Sequence, residues 1–133
     1  MSSPRAATER PLSPHLGIYH FYVTMAASIL HRITGAALYF AVLILVAWLL
    51  AAASGPAAFD IASTIVGSWL GRLILIAATF GLFLHMFGGI RHFIWDTGAG
   101  LQPGRRDALA LASFVGAAGL TVLVWIAVVL VSA

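Results

Sequence analysis

Three apolar runs organise the chain, and very few polar positions interrupt them. The first, Ile33 to Ala53, contains no charged residue. The second extends from about Ser63 to Phe93, with Arg72, His85, Arg91 and His92 as its only ionisable groups. The third, Ala108 to Ala133, again has no charge. A helix needs about 20 apolar residues to cross the hydrocarbon core, and backbone in lipid must satisfy its own hydrogen bonds. The pattern therefore predicts an all-α, integral membrane three-helix bundle with spans at about 28–53, 63–93 and 107–131. Residues 1–21 form an extramembrane arm, and residues 22–133 form one membrane domain. The first helix is expected to begin near Tyr22, so that Ser28, His31 and Arg32 are already helical. The glycines and proline between Asp96 and Gly104 mark a loop, with Asp107 near the first turn of the third span. Residues 1–32 lack an apolar core followed by a cleavage site, so no secretory leader is expected.

Composition sharpens this reading. Apolar residues make up 62% of the 133 positions and charged residues 8%, against about 25% charged in an ordinary soluble domain. A soluble enzyme, a disordered tail and a nucleic-acid binder are excluded. With no cysteine, the chain forms no disulfide and ligates no ordinary iron–sulfur cluster. Any redox metal must be held by histidine or belong to another chain. The seven basic residues are all arginines. Arg5, Arg10 and Arg32 precede the first span, and Arg91, Arg105 and Arg106 flank the second loop. Arg72 alone lies toward the other side. The positive-inside bias then predicts a cytoplasmic N-terminus and a periplasmic C-terminus in a bacterial inner membrane.

Polar groups at depth are costly and therefore informative. At about 1.5 Å per residue, His85 lies roughly 16 Å before Asp96, near mid-membrane. Gly81, His85, Gly88 and His92 are spaced four, three and four apart and share one stripe. That stripe offers clearance for a flat macrocycle ligated by His85. It equally admits a close-packed helix with His85 hydrogen-bonded across it, and a lone histidine at this depth also suits a proton relay. His85 and His92 are roughly 10 Å apart along the helix, too far to bind one iron together. His31, at the cytoplasmic end of the first span, is expected to be too shallow to face His85. A second ligand is then expected from a partner chain.

Ser28, His31 and Arg32 form a second constellation, on one face by their offsets of three and four. A hydroxyl and a guanidinium there can donate to a quinone carbonyl and stabilise charge on its reduction. Arg32 or His31 can pair with a haem propionate. The plain alternative is an interfacial anchor, with Arg32 reaching to phosphates. Arg91, Trp95 and Asp96 likewise read as interface anchors. Gly116 and Gly119 suggest close helix contact in the third span.

Two local patterns resemble one family. Arg10-Pro11-Leu12-Ser13-Pro14-His15-Leu16, followed by Ser28-Ile29-Leu30-His31-Arg32-Ile33-Thr34-Gly35, resembles the N-terminal signature of the cytochrome b subunit of succinate dehydrogenase. His85-Met-Phe-Gly-Gly-Ile-Arg-His-Phe-Ile-Trp-Asp96 resembles that family's second signature. The resemblance implies a membrane anchor subunit of respiratory complex II. Such a subunit shares one haem b with a second small anchor subunit, and works with a flavoprotein and an iron–sulfur subunit that pass electrons from succinate to ubiquinone. Carried over by motif, His85 is the axial haem ligand, Ser28 and Arg32 contact quinone, and His31, Arg32 and His92 lie near the propionates or just behind them. No succinate-oxidising site is expected on this chain. The same scaffold serves a quinol:fumarate reductase, and a non-redox helical scaffold is the rival from another class.

Overall fold

The computed structural model describes residues 12–132. Arg5, Arg10 and most of the expected N-terminal arm lie outside the described residues, as does Ala133. A single 3-10 turn at Leu16–Ile18 is capped by His15, whose Nδ1 accepts from the Gly17 backbone N–H at 3.2 Å. Four α-helices follow: α1 at Val23–Ala53, α2 at Pro56–Gly67, α3 at Trp69–Asp96 and α4 at Pro103–Ser132. Three of them, α1, α3 and α4, are long and apolar enough to cross a membrane.

The onset of α1 at Val23, with Tyr22 as its cap, matches the sequence reading. Two boundaries differ from it. The expected connector ahead of residue 63 is itself helical, and the apolar run at 63–93 is split between α2 and α3. Gly55, at φ 113°, adopts a backbone conformation open to glycine, and Pro56 then opens α2 with its preset φ. Ser68 ends α2 in an extended conformation and caps α3 by accepting from the Gly71 N–H at 3.1 Å. The α2–α3 corner is so tight that a Cβ on Gly71 would strike the carbonyl oxygens of Ile65 and Val66. The second difference is at α4, which starts at Pro103 rather than 107, again because proline suits the first helical position. Thr97 closes α3, and Gly98, at φ 79°, donates to the Trp95 carbonyl at 2.8 Å.

α3 runs antiparallel to both α1 and α4, and the helices meet largely at small residues. The buried positions are Ala27 and Thr34 on α1, Gly81, Leu84, Gly88 and Arg91 on α3, and Ala110, Ser113, Ala117 and Thr121 on α4. The spacing of three and four puts each set on one stripe. Large apolar side chains such as Phe40, Leu50, Leu123 and Val131 point outward. This inverts a soluble core, and lipid is the reason: it is as apolar as leucine, so helices gain most by bringing backbones close. Thr34, Ser113 and Thr121 return their hydroxyl protons to carbonyls three or four residues back, which satisfies these hydroxyls at the contacts.

Candidate functional site

The antiparallel register of α1 and α3 sets His31 beside His85. Their imidazoles stack with centroids 4.1 Å apart and planes 3° from parallel. The expectation that His31 is too shallow to face His85 is overturned. His31 lies eight residues, roughly 12 Å, into α1, and His85 lies eleven residues, roughly 16 Å, from the end of α3, so the two reach comparable depth. His92 joins the pair, its ring 5.1 Å from that of His31 and 5.4 Å from that of Trp95. A continuous line of rings therefore runs from His85 through His31 and His92 to Trp95. The three histidines do not converge on a point, and no group of three metal-ligating residues is gathered among the described residues.

The glycine stripe faces α1 at close range. A Cβ on Gly88 would collide with the His31 ring, and one on Gly35 would lie 3.0 Å from His85 Cε1. A Cβ on Gly81 would meet the Thr34 methyl at 3.6 Å. These glycines make room for α1 and for the two imidazoles. The buried stripe of α3 carries Leu84 between Gly81 and Gly88 and Arg91 one turn beyond, and His85 and His92 border it.

His85 Nδ1 lies 3.0 Å from the His31 carbonyl oxygen and 3.5 Å from Thr34 Oγ1. A carbonyl only accepts, so Nδ1 carries the proton and donates. Nε2 is then left with its lone pair and has no partner among the described residues. That lone pair lies in the ring plane, and the stacked His31 covers only a face of the ring. A histidine that ligates metal commonly gives its other N–H to a carbonyl in this way. By this test the site fits an axial haem ligand. His31 Nε2 is enclosed and has no hydrogen-bond partner.

Ser28 and Arg32 lie on α1 flanking His31, one turn apart; Arg32 is exposed and Ser28 half-buried. Neither forms a hydrogen bond or ion pair among the described residues. His92 is exposed at the same end of α3. Sequence reasoning missed two participants. Thr34 is buried against His85, a role that only the α1–α3 register reveals. Arg91 was read as an interface anchor, but it is 2% exposed and its three guanidinium nitrogens have no hydrogen-bond partner. Its guanidinium carbon sits 5.1 Å from the Trp95 ring centroid, a cation–π contact. No signal in the sequence alone separates a buried arginine from an interfacial one so close to a helix end.

Three long apolar helices packed through small residues define a class, that of multi-pass helical membrane proteins. Residues 6–132 match the model of the succinate dehydrogenase/fumarate reductase transmembrane subunit family, and the chain belongs to that family. It is 40% identical over 114 residues to the succinate dehydrogenase cytochrome b556 subunit of Paracoccus denitrificans, covering 86% of this chain and 88% of the relative. The like-named subunit of Rickettsia conorii is 37% identical over 118 residues, covering 89% and 92%. The mitochondrial succinate dehydrogenase cytochrome b560 subunit of Sus scrofa is 42% identical over 99 residues, covering 71% and 57%. The chain is thus a multi-pass membrane protein of the succinate dehydrogenase cytochrome b type.

Proposed function

We propose that this chain is a membrane anchor subunit of a succinate:ubiquinone oxidoreductase in a bacterial inner membrane, with its N-terminus cytoplasmic and its C-terminus periplasmic. It binds haem b jointly with a second anchor subunit and forms part of the ubiquinone site. It docks an iron–sulfur subunit and a flavoprotein, and succinate is oxidised on those partners. The observation that carries the reading is the Nδ1–H of His85 held by the His31 carbonyl, which leaves Nε2 to ligate iron.

Haem b, when bound, supplies a one-electron store within the membrane. His85 holds its iron from this chain. His31, Arg32 and His92, gathered toward the α3 end marked by Asp96, can meet the propionates with charged and neutral donors. Ser28 and Arg32 bind and orient the quinone. Their O–H and N–H groups donate to a carbonyl oxygen and stabilise the negative charge that grows there on reduction. The exposure of Arg32 at the bundle surface suits a pocket completed by another subunit.

The test is a reduced-minus-oxidised optical spectrum of the co-expressed anchor subunits. The expected result is a b-type band that His85→Ala removes while the subunits still assemble. A band that survives His85→Ala would overturn the assignment. The fumarate-reducing direction uses the same residues, and the ratio of succinate oxidation to fumarate reduction in the purified complex distinguishes the two.

A further inference from the structure

A small cluster of hydrogen-bonding atoms forms where α1 meets α3. Thr34 Oγ1 lies 2.7 Å from the Leu30 carbonyl oxygen, 3.0 Å from the His31 carbonyl oxygen and 3.5 Å from His85 Nδ1. His85 Nδ1 in turn lies 3.0 Å from the same His31 oxygen. Thr34 is 9% exposed, and its methyl faces Gly81, where a Cβ would meet it at 3.6 Å. The side chain is therefore held at both branches of its β-carbon. The other buried hydroxyls, Ser113 and Thr121, also return their protons to carbonyls one turn back. Neither has an imidazole within hydrogen-bond reach among the described residues.

Proton counting fixes the donors. The Leu30 and His31 carbonyl oxygens only accept, and Thr34 brings a single hydroxyl proton. If His85 Nδ1 carried no proton, its lone pair would face the His31 oxygen at 3.0 Å. Thr34 would then have to turn its proton to a neighbour at 3.5 Å and give up two closer carbonyls. The opposite assignment satisfies every atom. Thr34 gives its proton to the carbonyls and keeps a lone pair for the Nδ1–H of His85. That N–H then has a near acceptor in the His31 carbonyl and a longer one in Thr34 Oγ1. Such three-centre bonds recur in proteins.

We propose, resting on the reading of His85 as axial haem ligand, that Thr34 is a positioning residue for that ligand. Its hydroxyl oxygen, turned toward His85 by the Leu30 carbonyl, holds the proton on Nδ1 and enriches Nε2 as a donor to iron. Hydrogen bonds from the outer N–H raise the basicity of a ligating imidazole. A more basic ligand favours oxidised iron, and outer hydrogen bonding is one of a protein's controls on haem potential. Thr34 thus lowers the midpoint potential. It acts through His85, not as a ligand itself.

The test is an optical redox titration of haem b in the assembled complex, with haem content measured alongside. Thr34→Val keeps the side-chain shape and removes the hydroxyl. Thr34→Ser keeps the hydroxyl and removes the methyl that faces Gly81. The expected result is a b-type band retained in both. In Thr34→Val the reduced-to-oxidised ratio at a fixed potential rises about threefold, the loss of one weak hydrogen bond. That ratio is a rise of about 30 mV at 59 mV per decade. Thr34→Ser stays at the unaltered value. A Thr34→Val potential that is unchanged or lower would overturn the proposal, as would an equal rise in Thr34→Ser. If Thr34→Val does not assemble, Thr34→Ala against Thr34→Ser makes the same comparison, since both lack the methyl and differ only in the hydroxyl. A band that survives His85→Ala overturns the ligand reading instead, so the two failures are distinct.

Discussion

His31 gives His85 two different things: its ring stacks on the His85 ring at 4.1 Å, and its main-chain carbonyl accepts the His85 Nδ1 proton at 3.0 Å. The first depends on the side chain and the second does not. His31→Ala should therefore preserve haem incorporation while changing the environment of the ring. The expected outcome is a b-type band near normal intensity with an altered midpoint potential, read by redox titration of the complex.

Gly88→Ala should be far more damaging than its one added methyl suggests. The new Cβ would occupy the place of the His31 ring, and α3 cannot shift without also moving His85. Overpacking of this kind costs about 1–3 kcal/mol. The melting temperature of the complex should fall and the haem content with it. Gly89→Ala, whose Cβ would meet nothing within 4 Å, is the matched control and should leave both unchanged.

The α2–α3 corner gives a second glycine contrast. Gly71→Ala would drive a methyl into the Ile65 and Val66 carbonyls, backbone that cannot rotate away. Assembled complex should be lost or markedly less heat-stable. Gly119→Ala has open space around it, and alanine is about 1 kcal/mol better than glycine inside a helix. It should be neutral or mildly stabilising in the same thermal assay.

Arg32→Ala separates the quinone role from an anchoring one. Loss of a charged hydrogen bond to a reduced oxygen costs about 1.5–3 kcal/mol, a drop of roughly ten- to a hundred-fold in ubiquinone reduction. Succinate oxidation with an artificial dye should be spared. Ser28→Ala should show the same split at smaller size. Equal loss of both activities would indicate failed assembly instead.

Much of this architecture was legible in the hydropathy pattern, because in lipid an uncharged run of sufficient length has essentially one solution. The start of α1 at Tyr22–Val23 and the loop after Asp96 followed from local chemistry. The break at Ser68 did not, since a serine inside an apolar run reads as tolerated rather than as a cap. Of the site, His85, Ser28 and Arg32 stood out by residue type and spacing. The depth of His31 was misjudged because it depends on the register of α1 against α3, which no local pattern sets. The glycines were visible, but their neighbours were not, because these depend on the register between residues 51 apart in sequence. The burial of Arg91, 2% exposed, is a property of tertiary packing rather than of its place in the sequence.

The acceptor that orients His85 is a peptide carbonyl, present whatever side chain occupies position 31. A genetic screen for residues that tune the His85 imidazole would pass over it, because no codon change deletes it. Such a screen would instead return Gly35, Gly88 and Thr34, positions that touch no iron and govern how close one main chain comes to the other.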